Sequence, residues 1–150
     1  MKKREIKDLL KKDKEIKRTL AKAKTTIKTI LYECEDMNKV SKALMNVLNV
    51  KPVVREIGGE KYLVAEAAGY EYVYRIFNHF RMRRVLATLR KYLYKYLDRD
   101  RGIITMYLHK QAAYTGVLSL VDPGESPLGD IIVTIETENP DEVIKWLTRF

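Results

Sequence analysis

Seven basic residues stand between Tyr72 and Leu97 with no acidic residue among them: Arg75, Arg81, Arg83, Arg84, Arg90, Lys91 and Lys95. Tyr92 and Tyr94 are interleaved with the last of these. A guanidinium is a planar fork that matches phosphate oxygens and an ammonium is a compact point charge, so the set suits a phosphate backbone. Tyrosine rings add surfaces on which unpaired bases stack, each worth about 1–3 kcal/mol. At about 100° per residue, Arg81, Arg84, Thr88, Lys91, Tyr92 and Lys95 share about one third of a helix circumference, opposite the leucines. Arg83 and Arg90 flank that ridge. These bases and the two tyrosines are the candidate nucleic-acid contacts. No zinc-finger spacing, helix-turn-helix pair or RNP-type strand motif accompanies them.

Carboxylates form the next candidate set. Glu33, Glu35 and Asp36 are echoed by Glu136 and Glu138. On adjacent strands they would converge as a donor set for Mg²⁺, as in a metal-dependent nuclease. Against this, alternation puts Glu136 and Glu138 on the polar side of a strand, and Asp36 has a helix to cap. His79 and His109 lack a further histidine or cysteine at ligand spacing. Cys34 has no activating base beside it and reads as a buried structural thiol. Gly58-Gly59 is too short to cradle a phosphate. With no cofactor motif and no Ser/His/Asp order, the expectation is a binding protein without cofactor, not an enzyme.

These residues need a framework. Residues 5–24 carry a narrow apolar stripe (Ile6, Leu9, Leu10, Ile16, Leu20, Ala23) between charges, the mark of a basic helix that must lie on the body or on another copy. Thr25–Glu33 alternates as a strand, and Asp36 opens a helix through Val40, Leu44, Val47 and Leu48. Val53–Ile57 and Tyr62–Ala67 form a hairpin around Gly58-Gly59. In segment 70–98, Val73, Ile76, Phe77 and Phe80 share one side. Met82, Val85, Leu86, Leu89, Leu93, Tyr96 and Leu97 share nearly the opposite one, so the phase change predicts a break near Asn78–Arg81. Ile103–His109 and Tyr114–Val121 read as a second hairpin, residues 122–130 as an exposed loop, Ile131–Glu138 as the last strand and Asp141–Arg149 as the last helix. Residues 32–44 and 135–147 resemble one another as two strand–turn–helix corners, with Asp36 and Asn139 as N-caps and Pro140 at the first helical position.

The order over residues 25–109 is β-α-β-β-α-β, that of a ferredoxin-like unit. The expected fold is α+β in one domain: a mainly antiparallel sheet with helices on one face, extra strands and a C-terminal helix. A basic N-terminal helix (1–24) precedes the body (25–150). The second sheet face must be covered by that helix, by another subunit or by a ligand.

Charge distribution sharpens the functional expectation. A chain of 150 residues with 46% hydrophobic and 33% charged residues can bury a core, and its apolar runs are too short to cross a bilayer. The net charge of +9 is segregated. Residues 1–28 hold twelve Lys/Arg against four Asp/Glu, residues 72–97 hold seven against none, and the remainder holds ten against sixteen. Such segregation favours an anionic partner over mixed-sign thermophile surface charge. A single cysteine and a charged N-terminus without a signal-like apolar run fit a cytoplasmic location. The expected function is binding to the phosphate backbone of single-stranded DNA or RNA through the basic, tyrosine-bearing helix. The alternative is a protein-interaction or assembly subunit without catalytic activity, a homo-oligomer or a complex component whose bases meet an acidic protein partner or a symmetry mate, and a metal-dependent nuclease is the remote one.

Overall fold

The computed structural model describes residues 2–149. The chain runs α1 (Lys3–Leu20), β1 (Lys24–Ile30), α2 (Met37–Leu48), β2 (Val53–Ile57), β3 (Glu60–Ala68), α3 (Tyr70–Met82), α4 (Leu86–Lys95), β4 (Ile103–His109), α5 (Lys110–Tyr114), β5 (Asp130–Glu136) and α6 (Pro140–Leu147). The strands form one sheet in the order β2-β3-β1-β5-β4, with every neighbouring pair antiparallel. The β-α-β-β-α-β frame is present, but its fourth place beside β1 belongs to β5. Strand β4 instead pairs on the far side of β5 and forms an edge. Strand signals identify β4 without revealing that a later segment inserts between it and β1.

Period-two alternation sorts the faces. Ile27 of β1 lies opposite Ala65 of β3 and Val133 of β5, which in turn faces Met106 of β4. All four are buried, and they belong to one core with Leu44 of α2, Phe77 of α3, Leu89 of α4 and Ile144 of α6. One residue along, Lys28 pairs with Val64 and Ile132, and Ile132 with Tyr107. Of that second row only Val64 is buried, and the others are half-buried. The helices thus cover one face of the sheet. Helix α1 does not cover the second face: it packs on α3 and α6, burying Ile16 and Leu20.

Local chemistry explains most boundaries. Gly58 and Gly59 take φ of 61° and 81° between the paired Ile57 and Glu60, the positive pair that a two-residue hairpin turn demands. The Asp36 side chain accepts from the Asn38 backbone N–H at 2.9 Å and so caps α2. Asn139 stands at the N-cap of α6 with Pro140 after it, as expected, but it takes a left-handed φ of 52° and caps without a side-chain bond.

The break in segment 70–98 falls at Arg83–Val85, a few residues later than the phase change suggests. Arg84 there adopts φ of 58°. Turning the chain at this point lets Val73, Ile76, Phe77 and Phe80 join the same core as Leu86, Leu89 and Leu93. Met82 is left 77% exposed, outside the stripe expected to bury it. The second hairpin is also corrected. After β4 the chain forms α5, where His109 Nδ1 accepts from the Ala112 N–H at 3.2 Å. Only a bridge between Leu108 and Leu120 remains of the return strand.

Candidate nucleic-acid interface

Helix α1 carries the densest free charge. At about 100° per residue, Lys3, Lys7, Lys14, Arg18, Lys11 and Arg4 fall within about 100° of arc with no acid between them. All six are exposed, and none forms an ion pair among the described residues. The opposite side of the helix is the seated one. Ile16 and Leu20 enter the core, Lys12 Nζ meets Glu142 at 2.6 Å, and the Trp146 indole N–H donates to Asp13 at 3.3 Å. The Lys12 ammonium holds the Glu142 carboxyl below its usual range, and Glu142 raises Lys12 in return. The helix is therefore pinned by one face while a ridge of six cations points away.

The basic segment between Tyr72 and Leu97 is placed differently. Arg81 donates from Nη1 to the Arg149 carbonyl and from Nη2 to the Leu147 carbonyl, both at 2.9 Å. Arg90 donates from Nε to Thr148 Oγ1 at 2.8 Å and from Nη2 to the Lys145 carbonyl at 3.1 Å. The two guanidiniums thus clasp the C-terminal end of α6, whose last carbonyls lack helical partners and carry the negative end of the dipole. Arg83 donates to the Leu118 carbonyl at 2.6 Å. Lys95 pairs with Asp122 at 3.4 Å, and Tyr96 donates to the same carboxylate at 2.6 Å.

The tyrosines are engaged as well. The Tyr92 hydroxyl donates to the Val121 carbonyl and accepts from the Tyr107 backbone N–H at 3.1 Å, and burial pushes its pKa up to about 12. Tyr94 reaches the Asp141 carbonyl at 3.5 Å under the Arg99 guanidinium. Only Arg75, Arg84 and Lys91 of the candidate set are exposed and free of a hydrogen bond or ion pair among the described residues. The expected continuous basic face is reduced to these three. The remaining cations are hydrogen-bonded or ion-paired within the molecule, mostly to carbonyls that no count of acidic residues registers.

The other candidates are also settled by geometry. Lys24 of β1 lies opposite Glu136 of β5. The antiparallel pair therefore puts Glu33, Glu35 and Asp36 at one end of the sheet and Glu136 and Glu138 at the other. This removes the convergence that the nuclease reading needed, and no cluster of metal-ligating side chains occurs among the described residues. Cys34 is exposed, not buried.

Glu35 has a structural task that its sequence position did not announce. It accepts from the buried Lys110 ammonium at 3.2 Å, which also donates to the Ile30 carbonyl at 2.7 Å and to the Leu128 carbonyl. Burial pushes Lys110 below the usual lysine value, and Glu35 opposes that shift. No helix among the described residues is long and apolar enough to cross a membrane.

Residues 24–137, from the first residue of β1 to just beyond β5, match the family model described as RNA binding. The chain belongs to this RNA-binding family. A UPF0201 protein of Sulfurisphaera tokodaii is 40% identical over 127 residues, covering 83% of this chain and 86% of its own. A UPF0201 protein of Aeropyrum pernix is 38% identical over 132 residues, covering 86% and 87%. Both organisms are archaea. The crystal structure of a UPF0201 protein from Methanococcus jannaschii superposes with a TM-score of 0.71 at 24% identity, over 84% of this chain and 99% of that one. That likeness supports the shared fold. Helix α1 precedes the segment matched by the RNA-binding model.

Proposed function

We propose that this protein binds RNA, single-stranded or locally unpaired, by its phosphate backbone, with the α1 ridge as the principal contact. The observation that carries the reading is the acid-free arc of six exposed, unpaired cations on α1. Arg75, Arg84 and Lys91 add phosphate contacts within the segment matched by the family model. Tyr92 and Tyr94, expected from their types to stack on bases, hold α4 in place through their hydroxyls, so base stacking is not assigned to them. The contacts are sequence-independent and salt-sensitive, because each neutralised phosphate releases condensed counterions.

Filter binding to single-stranded RNA, duplex RNA and single-stranded DNA at several salt concentrations tests this. Replacing Lys7, Lys11 and Lys14 together by Gln should leave thermal stability unchanged. It should also lower the slope of log affinity against log salt by about 2, at roughly 0.7 per phosphate on a single strand. A triple variant that binds RNA with the parent's affinity and slope would overturn the assignment.

A further inference from the structure

The apolar stripe of α1, which borders the basic ridge at Leu10, is only half used. Ile16 and Leu20 are buried, but Ile6, Leu9 and Leu10 on the same stripe remain 44%, 40% and 58% exposed. Beside them a groove of about 420 Å³ opens between α1 and the body, floored by Tyr70, Tyr74 and Trp146. Apolar residues at i, i+3 and i+4 next to an aromatic floor have the form of a helix-in-groove site.

We propose that this groove receives an acidic amphipathic helix of a protein partner. Electrostatics choose the occupant. Lys17 Nζ sits 5.2 Å over the Tyr70 ring and the Arg149 guanidinium 3.7 Å over the Trp146 ring, so both rim cations are held beside the apolar floor. Asp13 is the one acid lining the groove among the described residues, and it is already engaged by Lys17 at 3.3 Å and by the Trp146 indole. A partner helix with leucine-type anchors and flanking carboxylates satisfies both the stripe and the rim. A second copy of α1 brings the same bases and is opposed by like-charge repulsion. RNA offers no apolar ridge to fill the groove, and none of the six ridge cations lines it.

Trp146 is the only tryptophan in the chain, and its emission reports on the groove directly. The probe is a synthetic peptide of about sixteen residues, with leucines at i, i+3, i+4 and i+7 and glutamate and alanine elsewhere. The expected result is a saturable, salt-weakened change in Trp146 emission. The Leu9→Ser, Leu10→Ser double variant, altered only at exposed positions, should lose about tenfold or more in peptide affinity while retaining the parent's RNA affinity. A matched peptide with lysine for glutamate should give no response. The proposal is overturned by no saturable response to the acidic peptide, an equal response to the lysine peptide, or an unchanged response in the double variant. Sedimentation showing self-association of the free chain that the double variant abolishes would assign the groove to a second copy instead.

Discussion

The Tyr92 hydroxyl joins α4 to the β4 edge by donating to the Val121 carbonyl and accepting from the Tyr107 N–H. Replacing it with Phe leaves a donor and an acceptor without their partner, and the expected loss is about 1–3 kcal/mol in urea denaturation. Its ionisation gives a second readout. The folded-state pKa is about 12, above the value of about 10 for a free tyrosine. Between those two values the native state holds a proton that the unfolded chain has released. Stability should therefore fall as pH rises from about 10 to about 12, and the Tyr92→Phe variant should lose that component of the slope. Arg81 and Arg90 teach a related lesson. Both were legible as cations, but their partners are carbonyls and a hydroxyl contributed by residues 145–149. An acid-free stretch is a signal of unmet charge only if helix C-termini are counted as acceptors.

Among the elements, the turn between α3 and α4 does most to position the basic residues. The opposed apolar stripes of 73–97 announced a break, because one straight helix cannot aim both stripes at one sheet. Its location at Arg83–Val85 was not legible, since a left-handed residue other than glycine leaves no mark in composition. Arg84 at φ of 58° carries a conformational penalty that glycine escapes. Arg84→Gly should match or exceed parental stability by up to about 1 kcal/mol, whereas Arg84→Val should lose stability, because β-branched residues are disfavoured at positive φ. Paired denaturation curves decide this, and a destabilised glycine variant would show that the Arg84 side chain itself holds the turn. Helix α1 was read correctly as basic with a narrow apolar stripe. What the stripe could not show is that its C-terminal half is seated while Ile6, Leu9 and Leu10 stay bare.

At the scale of the whole molecule, a few exposed pairs tie distant segments of the chain together. Asp141 is held below its usual range by hydrogen bonding to Arg99, Asp122 by Tyr96 and Lys95, and Glu142 by Lys12. Each carboxyl has a lower pKa folded than unfolded, so its contribution is present above the unfolded value and lost as pH falls through the folded one. Stability should hold near neutrality and decline below about pH 4, with moderate salt reducing the size of the decline. Thermal melts at several pH values and two salt concentrations check both parts. RNA affinity rests on the opposite charges and should weaken with salt throughout.

Most element identities were carried by local order in the chain: the alternation of Thr25–Ile30, the Asp36 cap, the Gly58-Gly59 turn and the leucine spacing of α4. These are short-range effects, written within a few residues. The place of β5 between β1 and β4, the separation of Glu33–Asp36 from Glu136 and Glu138, and the roster of unpaired cations were decided only by tertiary contacts. Arg81 meets acceptors 66 and 68 residues away, and Lys110 meets one 80 residues away. Whether a charge is available to a ligand depends on such distant partners, so the total of +9 was visible in the residues while its free surface had to await the fold.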